Sequence, residues 1–124
     1  MKGKISNCEC WKKNTNKRIS ILLKKPMSTA YTREQIEEAL VDLPEWAYIA
    51  DKIRREYRFK SFVEAMGFIV EMSFACEKAN HHPELFNVYN KVFIELTTHD
   101  EGNKITEKDV ELARKIEIIA KKSM

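Results

Sequence analysis

The chain has 124 residues, of which 44% are hydrophobic and 33% charged, with a formal net charge of +3. That length supports one domain with a modest core and excludes two, and the composition is that of an ordinary globular protein. No stretch approaches the ~20 apolar residues that span a bilayer, so no membrane partner is expected.

Residues 1 to 30 carry eight Lys or Arg against one acid, Glu9, and show no apolar periodicity. They read as a basic extension, expected to be disordered and solvated rather than bound to nucleic acid. The opening MKGKISNCECWKKNTNKRIS lacks the apolar core of a secretory signal, while a start at Met27 or an acid-poor targeting peptide stays open. Cys8 and Cys10 form a lone C-x-C, a weak metal signal better read as exposed thiols, and Cys76 is the third cysteine. An odd set with one member inside a helical pattern is no disulfide framework, which points to a reducing, cytoplasmic setting.

Residues 31 to 124 are expected to form the folded domain. Thr32-Arg33-Glu34-Gln35 is a capping-box pattern, and Ile36, Ala39, Leu40 and Leu43 then recur at helical spacing. A helix of about ten residues should therefore run to Pro44. In EWAYIADKIRREYRFK the period drops to two, with a break near Asp51-Lys52, which predicts a β-hairpin. From Ser61 to Ala79 the helical period returns. Phe62, Ala65, Met66, Ile69, Met72, Ser73 and Cys76 make one stripe, widened by Val63, Val70 and Phe74. So wide an apolar face suggests the central, most buried helix, ended by Asn80 and Pro83. FNVYNKVFIELTTH alternates and predicts one strand, or two strands bent near Asn90-Lys91. A turn at Glu101-Gly102-Asn103 precedes a last helix capped at Thr106, with Val110, Ala113, Ile116, Ile119 and Ala120 facing inward. The order α-ββ-α-β(β)-α predicts an α+β fold with helices on one face of an antiparallel sheet. The opposite sheet face, bearing Phe93 and Glu95, is expected to be solvated or to meet another subunit.

The three histidines, His81, His82 and His99, all fall at the ends of predicted elements, where functional side chains tend to gather. They could be incidental surface or packing residues, or ligands of a zinc ion, although an adjacent pair chelates one ion awkwardly. They could also be acid–base catalysts, since imidazole exchanges protons near neutral pH. Spacing favours acid–base chemistry modestly. Pro83 forces His82 out of the helical region, so two neighbours could line one pocket only through an irregular backbone. Other devices are missing: there is no Gly-rich phosphate loop and no G-x-S-x-G elbow, and Cys76 reads as core.

EKANHHPELFNVYNKVFIELTTHDEGNKITEKDVELARKIEIIA resembles the pterin-4a-carbinolamine dehydratase family through Glu77, His81, His82, Pro83, Tyr89, His99 and Asp109 at the family's spacing. The resemblance covers about residues 30 to 122. It implies a four-stranded antiparallel sheet with three helices packed on one face, and homodimers that often pair into homotetramers. It further implies dehydration of 4a-hydroxytetrahydropterin to the quinonoid dihydropterin without metal or cofactor, with His81, His82 and His99 as catalytic residues. Glu77, Asn80, Pro83, Thr97, Thr98, Asp100 and Asp109 are implied to contact the pterin substrate. The resemblance leaves two other roles open: a binding module that stabilises a transcription factor's dimer, placing the protein in the nucleus as well, and a dehydratase-like protein of molybdopterin metabolism. Asn80 stands where some members carry Asp, Leu85 where an aromatic is common, and Phe93 where a polar residue or His is often found.

Overall fold

Short polar side chains set all three α-helix starts among the described residues. In the computed structural model, which describes residues 29–124, Thr32 caps α1 (Arg33–Ala39) in a reciprocal box with Gln35. Ser61 caps α2 (Phe62–Ala79) by accepting from the Glu64 amide, and Thr106 caps α3 (Glu107–Ser123) in a box with Asp109. Each cap satisfies amide donors that a helix start leaves without intrahelical partners. The first helix tightens into a 3-10 turn over Leu40–Asp42 and stops before Pro44. The basic extension, Met27, Cys8 and Cys10 lie outside the described residues; Tyr31 is tied down, its amide donating to the Ile105 carbonyl at 2.8 Å.

Two hairpins build one antiparallel sheet. β1 (Ala47–Ile49) and β2 (Lys52–Arg58) are joined by Ala50 and Asp51, both at positive φ (54° and 64°), as a type I′ turn requires. β3 (Glu84–Val88) and β4 (Lys91–Leu96) are joined by Tyr89 and Asn90, with Tyr89 at φ 52°. The second alternating stretch is thus two strands. The order is β1-β2-β4-β3, with β2 and β4 paired over Ile53↔Leu96 to Arg58↔Lys91. The α+β class and the four-stranded sheet expected from the sequence are both present.

Period-two burial follows from the pleat. Ile53 and Tyr57 of β2 join Val92, Ile94 and Leu96 of β4 against Ala65, Phe68, Met72, Val110, Ala113 and Ile116 of the helices. Tyr57, Phe59 and Phe68 cluster, with centroids 4.9 Å apart for the two phenylalanines. At the core's edge Glu117 Oε2 accepts from Trp46 Nε1 (2.9 Å), Tyr57 OH (2.7 Å) and Arg55 Nε (2.9 Å). Burial and this carboxylate push the Tyr57 phenol well above its usual range. On the opposite face Glu84 and Glu95 sit directly across from one another, a repulsive cross-strand pair. Lys52 Nζ bridges them at 2.7 and 3.2 Å, and Arg54 also pairs with Glu95. Phe86 and Phe93 lie beside this cluster with centroids 5.7 Å apart and ring planes tilted by 48°.

One expectation is overturned. α2 is not the most buried helix: Phe62, Val63, Met66, Val70 and Phe74 are exposed, and its buried residues are Ala65, Phe68, Met72 and Cys76. The wide stripe is two apolar faces. One packs on β4 and α3, and the other points away from the domain core. Among the described residues no helix is long and apolar enough to cross a membrane.

Candidate active site

Asn80 decides where the two adjacent histidines go. It adopts the left-handed conformation (φ 52°, ψ 44°) at the end of α2, and the His81 amide donates back to the Cys76 carbonyl at 3.0 Å. This is a Schellman-type stop, and Asn is among the few residues that take it at modest cost. The chain reverses there, so consecutive side chains diverge. His81 turns inward and keeps 8% of its surface exposed, while His82 is exposed.

His81 Nε2 lies 2.6 Å from Oδ1 of Asp109, whose own exposure is 0%. The other carboxylate oxygen, Oδ2, accepts from the Thr98 hydroxyl at 2.7 Å and from the Thr106 amide at 2.9 Å. A fully buried carboxylate is tolerable only with such donors. His82 Nε2 meets Glu77 Oε1 at 2.6 Å in the open, and His99 Nδ1 meets Asn103 Oδ1 at 2.7 Å. Each histidine therefore has one ring nitrogen held by an oxygen acceptor. In the neutral ring that leaves Nδ1 of His81, Nδ1 of His82 and Nε2 of His99 as lone pairs.

Strand register gathers these residues. The Glu84↔Glu95 pairing places the start of β3 beside the end of β4, so residues 81–83 and 97–99 leave the sheet at the same end. Asp109 then joins both segments, since it bonds His81 from one and Thr98 from the other. His99 begins a 3-10 turn over His99–Glu101, closed by Gly102 (φ 72°) and Asn103 (φ 63°), both left-handed. Thr97 is buried, and its hydroxyl donates to the Asp51 carbonyl at 3.0 Å. Pro83 is half-buried, and Glu77, Asn80 and Asp100 are exposed.

The ten candidate residues thus divide by access. His82, His99, Glu77, Asn80 and Asp100 face solvent at this end of the sheet, and His81 reaches its edge. Thr97, Thr98 and Asp109 lie behind them. Tyr89 sits in the turn at the far end of the β3–β4 hairpin, six residues along β4 from Thr97, or about 20 Å away. It shapes that turn rather than this site. Sequence reasoning found the Thr106–Asp109 cap but missed that the same carboxylate holds a histidine; no spacing rule links residues 81 and 109. Among the described residues no three His, Cys, Asp or Glu side chains gather closely enough to hold a metal ion. The arrangement offers proton-exchanging imidazoles at one end of the sheet, with a buried anion behind one of them.

Comparison with known proteins places the chain in a family. A family model for pterin 4 alpha carbinolamine dehydratase matches residues 29–119. A protein of Opitutus terrae, provisionally named a pterin-4-alpha-carbinolamine dehydratase, is 49% identical over 94 residues, covering 76% of this chain and 97% of that one. A protein of Solibacter usitatus with the same provisional name is 44% identical over 94 residues, covering 76% and 98%. A crystal structure from Brucella melitensis, described as a transcriptional coactivator/pterin dehydratase, superposes with a TM-score of 0.71 at 40% identity, covering 74% of this chain and 99% of that one.

Proposed function

Since the chain belongs to the pterin-4a-carbinolamine dehydratase family, we propose that it dehydrates 4a-hydroxytetrahydropterin to the quinonoid dihydropterin by histidine acid–base catalysis. One imidazolium protonates the departing 4a-hydroxyl, the carbon–oxygen bond breaks, and water leaves. A second imidazole takes the proton from the ring nitrogen, whose electrons form the new double bond. Atoms and charge balance without a redox partner. The carrying observation is that His81, bound to the buried Asp109 carboxylate, shares one end of the sheet with His82 and His99, each ring with one nitrogen held and one free. In this reading the pterin meets the exposed Glu77, Asn80 and Asp100 and the half-buried Pro83. In this role the protein recycles the pterin of aromatic amino-acid hydroxylation in the cytoplasm. Turnover assayed on wild type and on the three His→Ala variants tests it; a rate no higher than spontaneous dehydration, or full activity in His99→Ala, rejects it.

The same proposal includes a homo-oligomer. Phe62, Met66, Val70 and Phe74 recur every four residues along α2, all exposed, with aromatics at both ends. Such a row is self-complementary when two copies cross antiparallel, and i±4 ridges are the commonest helix-packing surface. A Cβ on the adjoining Gly67 would meet nothing within 4 Å, which leaves a neighbouring backbone room to approach. The same face supports a second reading, in which a transcription factor's helices occupy it. A homo-oligomer that never exchanges with a candidate partner in size exclusion rejects that second reading.

A further inference from the structure

The hydrogen-bond donors behind Asp109 can be traced one by one, because a threonine hydroxyl has a single proton. Thr98 Oγ1 lies 2.7 Å from Asp109 Oδ2, so Thr98 gives its proton to the carboxylate. Thr106 Oγ1 lies 2.8 Å from Thr98 Oγ1, and with the Thr98 proton already placed, Thr106 must donate there. Thr106 Oγ1 in turn accepts from the Lys108 amide at 3.2 Å. The direction is fixed throughout: Lys108 amide to Thr106 hydroxyl, to Thr98 hydroxyl, to Asp109 Oδ2, which also takes the Thr106 amide. Two donors on Oδ2 leave it no proton of its own; with Asp109 ionised, as these donors favour, Oδ1 is an acceptor too and His81 Nε2 is the donor.

We propose that Thr98 and Thr106 are positioning residues for the reaction: their one-way hydroxyl chain keeps Asp109 an acceptor and so presents His81 with Nδ1 as its proton-exchanging nitrogen. This rests on the dehydratase reading for its catalytic part, while the tautomer part stands by itself. Thr106 and Thr98 are 0% and 2% exposed, so their hydroxyls act on the site from behind, through the Asp109 carboxylate they reach. The chain also explains why the cap of α3 uses threonine and aspartate. The same groups that start the helix orient the His81 ring, and misplacing a reacting nitrogen by about 1 Å costs on the order of a hundredfold in rate.

The test combines side-chain nitrogen NMR of the histidines with steady-state kinetics on Thr98→Val, Thr106→Val, Thr98→Ser and Thr106→Ser, His81 being assigned by loss of its signals in His81→Ala. We expect neutral His81 in the wild type to carry its proton on Nε2. Both valine variants should lose kcat by roughly tenfold to a hundredfold at nearly constant KM and mix the two tautomers, and both serine variants should restore kcat and tautomer. A wild-type His81 protonated on Nδ1 overturns the proposal, and needs no variant to fold. Folded valine variants with unchanged kcat and tautomer also overturn it. Should the wild type show no turnover, the dehydratase reading fails, while the wild-type tautomer still decides the chain.

Discussion

The His81 imidazole and the Asp109 carboxylate meet at 2.6 Å although 28 residues separate them, one just past the end of α2 and the other in the first turn of α3. The contact makes the orientation of one ring depend on how two helix ends are packed. Asp109→Asn keeps the volume and the cap but can turn an amide N–H toward His81. The expected result is a kcat at least about a hundredfold lower, with His81 moving to the Nδ1–H tautomer. The stability cost should be only about 1–2 kcal/mol, read from urea unfolding.

Glu117 lies outside the site, and its removal should separate stability from activity. Glu117→Ala leaves Trp46 Nε1, Tyr57 OH and Arg55 Nε without their acceptor. We expect a loss of about 3 kcal/mol in chemical denaturation and unchanged turnover per folded molecule.

The pH dependence of stability follows from the same carboxylate. Burial opposes its ionisation, but donation from Tyr57 with the charge of Arg55 and donation from Trp46 outweigh that, and hold Glu117 below the usual carboxylate range. A depressed folded pKa stabilises fully above the unfolded value of about 4.3, and is lost as pH falls through the folded one. Wild type should therefore weaken below about pH 4 more steeply than Glu117→Gln, when unfolding free energies are measured from pH 7 down to 3.

The outward face of α2 should control assembly. Val70→Glu or Phe74→Glu places a charge on an already exposed position, so the fold should persist with a Tm within a few degrees of the equally dissociated protein. Sedimentation equilibrium is expected to show a smaller species than wild type. An unchanged mass in both variants would move the interface elsewhere.

Asn80 offers a test of backbone against side chain. At φ 52°, Asn80→Ala should lose about 1 kcal/mol, whereas Asn80→Gly should match wild type within a few tenths. If the exposed amide meets the pterin, Asn80→Gly raises KM with stability intact; thermal melts beside Michaelis kinetics distinguish the two effects.

Periodicity, caps and turns are local, and they were legible. Thr32, Ser61 and Thr106 each start a helix because a short polar side chain next to an apolar repeat is its own signal. The break at Asp51 and the stop at Asn80 were readable for the same reason, and so was the grouping of His81, His82 and His99 at element ends. The bend near Asn90 was visible but ambiguous, since alternation alone cannot tell one long strand from two paired ones. The second apolar face of α2 could not be told from its first. Hydrophobicity marks what avoids water, and a core and an interface avoid it alike. By itself, then, the sequence determined the elements, the class of fold and the family. Only the tertiary structure decided that His81 turns in while His82 turns out, that Tyr89 lies at the wrong end of its hairpin, and that Asp109 serves a helix cap and an imidazole at once. Those outcomes depend on strand register and helix packing, which bring together residues that no local rule connects.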